Sequence, residues 1–142
     1  MKSTIILIAF LFTILLHSQE KLDYSQKDAC MFSNHYYLYP ATNTFEHEFR
    51  TDDAQTWYGY GTYTIKGGKI ILEFEDSNEK RKPKEDVFIN PDGTESRWSY
   101  PIHYESNFTR VLKYNGTTIT SPDYYYTSKK KKVKFILQKK TL

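Results

Sequence analysis

The chain has 142 residues, 20 Lys or Arg against 17 Asp or Glu, a formal net charge of +3 and a single cysteine. One thiol excludes an intramolecular disulfide and a cysteine-built zinc site, and so mild a charge gives no electrostatic pull toward nucleic acid. Aromatic residues make up 17% of the chain, with 13 Tyr and 9 Phe, a composition that favours strands over helices.

Residues 1–19 have the layout of a secretory signal peptide. Met1-Lys2 is a short positive head, Ile5 to Leu16 is apolar apart from Thr13, and His17 to Glu20 is a polar exit. That apolar run is shorter than the roughly 20 residues a bilayer requires, and no second one follows. The expectation is a secreted or periplasmic protein with no transmembrane segment after signal removal, its residues 20–142 forming one β domain. Cys30 lies too far past the apolar run to serve as a lipid attachment site, and is read as a small buried hydrophobe.

Ala29 to Tyr39 reads as a first strand ending at Pro40. Phe45 to Arg50 alternates, with Phe45, His47 and Phe49 on one face and Glu46, Glu48 and Arg50 on the other. Trp57 to Glu75 is a hairpin turning at Gly67-Gly68, a pair suited to a primed two-residue turn. Folding about that turn sets Ile65 against Ile70, Tyr63 against Leu72 and Gly61 against Phe74 on the apolar face, the last pair being a glycine shielded by a ring. Asp86 to Asn90 and Thr94 to Tyr100 flank the turn Pro91-Asp92-Gly93. Phe108 to Thr120 turns at Asn115-Gly116, which pairs Leu112 with Ile119 and Tyr114 with Thr117. Tyr124 to Thr127 and Val133 to Gln138 make a last pair around Lys129 to Lys132.

This is an all-β chain: an antiparallel meander of about eight or nine strands, closed as a barrel, with a β-sandwich as the alternative. The stretch Gly61-Thr62-Tyr63-Thr64-Ile65-Lys66-Gly67-Gly68-Lys69-Ile70-Ile71-Leu72 resembles a hairpin of small exported bacterial lipocalin-like proteins. The resemblance implies a barrel that holds a small apolar ligand or serves as an envelope accessory module. The chain has neither a Gly-x-Trp motif near residue 20 nor a Cys-x-x-Cys pair, so no functional residue is carried over.

Chemistry is sparse. His35, His47 and His103, with Glu46, Glu48 and Glu105 as nearby carboxylates, lack the spacing of a metal site, and Glu46 and Glu48 point away from His47 on a strand. No Gly-x-Ser-x-Gly elbow occurs, and Gly59-Tyr60-Gly61 lies within a strand instead of a strand-to-helix turn. No metal, cofactor or catalytic residue is expected. The leading expectation is a non-catalytic module holding a small apolar molecule, lined by Phe45, His47, Phe49, Trp57 and Trp98. The alternative is an envelope or secreted factor that binds a protein or glycan through outward-facing Tyr58 and Tyr60. A hydrolase is a third reading, and would need carboxylates or Cys30 beside a histidine in a cleft.

Overall fold

A computed structural model describes residues 20–29, 32–76, 85–122 and 132–138. Residues 1–19, expected to be a signal segment, Cys30, the strand expected at Tyr124 to Thr127 and the lysines Lys129 to Lys131 lie outside these described residues. The strands are β1 Leu22–Gln26, β2 Ser33–Tyr39, β3 Thr44–Arg50, β4 Thr56–Lys66, β5 Lys69–Phe74, β6 Glu85–Ile89, β7 Glu95–Ser99, β8 Ile102–Glu105, β9 Phe108–Tyr114, β10 Thr118–Thr120 and β11 Lys134–Leu137. Among the described residues there is no helix long and apolar enough to cross a membrane.

Eight of these strands close on themselves. β1, β2, β3, β4, β5, β9, β10 and β11 are antiparallel neighbours in that order, and β11 returns to β1. The β3–β4 pairing completes the ring, so the sheet is a lipocalin-like up-and-down barrel and the sandwich alternative is set aside. Alternation along the strands decides which side chains fill it. On β2 and β3 every second residue is buried, which puts Asn34, Tyr36, Leu38, Phe45, His47 and Phe49 inside.

The β4–β5 hairpin has the expected register, Gly61 opposite Phe74, Tyr63 opposite Leu72 and Ile65 opposite Ile70. Gly67 and Gly68 carry φ of 58° and 69°, the left-handed pair of a primed turn. The shielding ring is displaced from its expected place. Phe74 lies over Gly59, where an added Cβ would meet the ring at 2.6 Å, whereas a Cβ on Gly61 would collide with the Glu73 carbonyl.

The β9–β10 hairpin departs by two residues from the expected register: Tyr114, not Leu112, faces Ile119. The Asn115 side-chain oxygen accepts from the backbone N–H of Thr117 and Thr118, at 3.1 and 2.8 Å. This Asx-type bonding moves the turn one residue on, to Gly116-Thr117, and the Asn115 N–H donates to the Thr118 carbonyl at 3.2 Å. A slip of two keeps each residue on its own face.

Between β5 and β9 the chain leaves the barrel. β6 and β7 form a separate two-stranded sheet. β8 then returns parallel to the first half of β4, with Trp57 beside His103 and Gly59 beside Glu105. Because β5 pairs with β4 only from Gly61 onward, β8 extends the wall at that end.

Candidate functional site

The barrel interior divides in two. At one end Tyr24, Leu38, Phe45, Ile70, Leu72, Leu112 and Ile119 are at most 1% exposed and fill the bore. The Tyr24 hydroxyl donates to the Gly116 carbonyl at 2.7 Å and lies 3.1 Å from the Tyr114 hydroxyl. Burial and this contact push its pKa well above the usual tyrosine value.

At the other end a half-open cavity of about 270 Å³ remains. Phe49, Trp57 and Phe135 give it aromatic walls, and Asn34, His47, Glu105 and Arg110 a polar floor. The floor is set by one row of residues across three strands. His47 on β3 faces Gly59 on β4, and Gly59 sits beside Glu105 on β8. With no side chain at Gly59, the His47 ring and the Glu105 carboxylate reach across it to each other, His47 Nδ1 against Glu105 Oε2. A Cβ there would stand 2.6 Å from the Phe74 ring and 3.0 Å from Glu105 Cβ.

The network runs outward from that contact. Arg110 donates from Nη2 to Glu105 at 2.7 Å and from Nη1 to the Tyr36 hydroxyl at 2.7 Å. Its guanidinium lies 5.0 Å from the Phe74 ring centre, within cation–π range. His47 Nε2 lies 2.9 Å from Asn34 Oδ1, and the Asn34 amide donates to Gln26 at 3.0 Å. Tyr36 stacks on the His47 ring at 4.3 Å. No buried side-chain nitrogen or oxygen of the described residues is left without a partner.

Burial pushes the His47 pKa below the ordinary histidine value, and the Arg110 charge adds to this, against the pull of Glu105. Burial would raise Glu105, but hydrogen bonds and charge from His47 and Arg110 prevail and hold its carboxyl down at about 2. Glu105 is therefore ionised, with Arg110 as its fixed counter-charge. Both His47 nitrogens face oxygen atoms, an arrangement that suits the imidazolium. A neutral ring is served equally if the amides of Asn34 and Gln26 turn over together, giving Nε2 a donor.

The expected site residues divide accordingly. His47, Phe49 and Trp57 line the cavity. Trp57 packs on Phe49 at 5.4 Å and stacks on His103 at 4.5 Å, forming an aromatic rim. Phe45 belongs to the filled end, where its ring meets Phe74 edge-on. Trp98 does not line the cavity. It is 63% exposed on β7, because the β6–β7 hairpin lies outside the barrel. Tyr58 and Tyr60 do face outward but are not open surface. Tyr58 is 8% exposed with its hydroxyl on Glu46, and the Tyr60 hydroxyl donates to the Asp76 carbonyl.

Sequence reasoning missed Arg110, Tyr36 and Asn34, and counted Glu105 only among the carboxylates of a rejected metal set. The available signal was Gly59, a side-chain gap on the inward face directly opposite His47. Among the described residues no three His, Cys, Asp or Glu converge as a metal-ligand set. A closed eight-strand barrel, filled at one end and polar at the other, defines the class to which this architecture belongs. No family model, no curated protein and no solved structure matches the chain.

Proposed function

We propose that the protein is an exported, non-catalytic binding module that holds one small, mostly apolar molecule at the open end of the barrel. The observation that carries this reading is the cavity of about 270 Å³ between Phe49, Trp57 and Phe135. Small eight-strand barrels have room for side chains or for one small ligand, and here the filling stops halfway. An apolar wall with a few convergent polar groups is the usual make-up of a small-molecule site. Arg110 and Asn34 have N–H groups beyond those bonded to Tyr36, Glu105 and Gln26, and these can orient a hydrogen-bond acceptor on the ligand. Export rests on the signal-like residues 1–19.

Native mass spectrometry of the purified chain tests the reading. A co-purifying small molecule, or saturable one-to-one uptake of an apolar probe, is expected. Val133 lines the cavity, and Val133→Phe fills it from within. That variant should keep the fold and lose the bound mass. Uptake by Val133→Phe equal to that of the wild type would refute the assignment.

A further inference from the structure

The charges on the cavity floor balance while it is empty. Arg110 is a fixed cation, and Glu105, its carboxyl held down at about 2, is a fixed anion. The two meet at 2.7 Å and cancel. His47 is the third member, and its burial together with the Arg110 charge favours the neutral ring near pH 7.

What the floor offers a ligand is nevertheless one-sided. Each Glu105 oxygen already accepts an N–H, Oε1 from Arg110 and Oε2 from His47. Among the described residues Arg110 uses two of its five N–H groups, on Glu105 and Tyr36. The others, with the Asn34 amide, are donors beside the aromatic walls. A planar guanidinium is the side chain best matched to a carboxylate.

A carboxylate placed there changes the count. With Glu105 it makes two anions against one cation, and an uncompensated charge in a buried site is costly. One proton restores the balance, and the groups packed around His47 leave that ring as its acceptor. Glu105 from β8 stays ionised, and Arg110 from β9 is already charged. Tyr36 from β2 stacks on the ring with its hydroxyl on Arg110. β4 presents only Gly59 opposite His47, and β5 only the Phe74 ring, edge-on at 6.4 Å. Glu48, next along β3, favours the protonated ring through its charge. The proton enters at Nε2, where Asn34 Oδ1 stands at 2.9 Å to accept it, while Nδ1–H stays on Glu105.

Resting on the binding-module reading above, we propose that the ligand is a small organic acid whose binding draws one proton from solvent onto His47. Its apolar body lies between Phe49, Trp57 and Phe135, and its carboxylate lies on Arg110. The complex then holds two cations and two anions. Affinity therefore rises as pH falls, by about tenfold per pH unit as long as the free ring is neutral and the ligand ionised.

The test compares 4-phenylbutyrate with its neutral amide, 4-phenylbutanamide, by isothermal titration calorimetry on the purified chain. Runs in two buffers of different ionisation enthalpy count the protons taken up. The acid should bind about tenfold or more tighter than the amide at pH 7, take up about one proton at pH 8, and weaken about tenfold between the two. Nitrogen-15 NMR of the histidine rings should show His47 becoming an imidazolium on addition of the acid at pH 8, with His103, held at the rim on Trp57 and Gln55, unchanged. An amide that binds as tightly as the acid, acid binding without proton uptake, or a proton that appears on His103 would each overturn the proposal and leave the open end a small-molecule site. Binding of neither probe would overturn it too. If native mass spectrometry then also shows no bound mass, the binding-module reading itself has failed; if it shows one, only the acid has.

Discussion

The two ends of the barrel are built from the same strands by opposite means. On β2, Leu38 is fully buried among apolar neighbours, while Asn34, four residues earlier and on the same face, is buried in a hydrogen-bonded chain. The filled end is held by apolar burial, which is non-directional and tolerates many shapes. The open end is held by a connected set of charges and amides that is stable only while every member is present. The contrast separates stability from specificity: one end keeps the barrel shut, and the other keeps a cavity beside groups that can recognise something.

The largest expected effects come from breaking each end in its own way. Glu105→Ala leaves the Arg110 and His47 groups buried without their shared acceptor, and should cost roughly 3–5 kcal/mol in chemical denaturation. Leu72→Ala opens a void at the filled end and should cost about 2–5 kcal/mol. The comparison sharpens with ligand binding measured on the folded fraction. Leu72→Ala should bind as the wild type does, and Glu105→Ala should not. Equal losses of binding in both variants would mean that the ends are not independent.

Gly59→Ala comes next. Its methyl group is directed at the Phe74 ring and Glu105, so overpacking of about 1–3 kcal/mol is expected in thermal or urea unfolding. The change should also alter the His47 ring resonances in NMR, because the two side chains can no longer meet across position 59. An unchanged His47 spectrum would remove the glycine from the account.

Acid should weaken the open end selectively. His47 and Glu105 both bind protons less readily in the folded state than in the unfolded chain, so stability falls as pH drops. The His47 contribution is complete above the ordinary value of 6.5 and is lost progressively below it. The Glu105 contribution is complete above 4.5 and is lost on the way down to about 2. Urea midpoints measured across this range should decline, and Glu105→Gln should flatten the lower part of the curve. A wild-type midpoint that does not change between pH 7 and pH 3 would contradict the buried network. The smallest effect is expected outside the barrel, where Trp98→Ser should shift the stability of the monomer by no more than about 0.5 kcal/mol.

What was legible in the sequence follows the range of the interactions. The β4–β5 register was readable because its pairs sit around one tight turn and its apolar face is continuous. The β9–β10 register was misread because the Asn115 side chain took two backbone N–H groups and moved the turn on to Gly116-Thr117. His47, Phe49 and Trp57 were readable as inward-facing from alternation alone. Their chemical partners were not. Glu105 lies 58 residues from His47 and reaches it through a parallel pairing of β8 with β4 that no local pattern announces. Trp98 was misplaced for a related reason. Alternation shows which side chains share a face, but not whether that face is covered by anything.

The central claim is that the open end, floored by His47 and Glu105 across Gly59, admits a small molecule. Fluorescence of Trp57 in the Trp98→Phe variant tests it most directly, since the chain has two Trp and this change leaves Trp57 alone to report on the cavity. Titration with the apolar probe 8-anilinonaphthalene-1-sulfonate should give saturable, one-site quenching of Trp57. Probe binding that leaves Trp57 emission untouched, or no binding at all, would contradict the account.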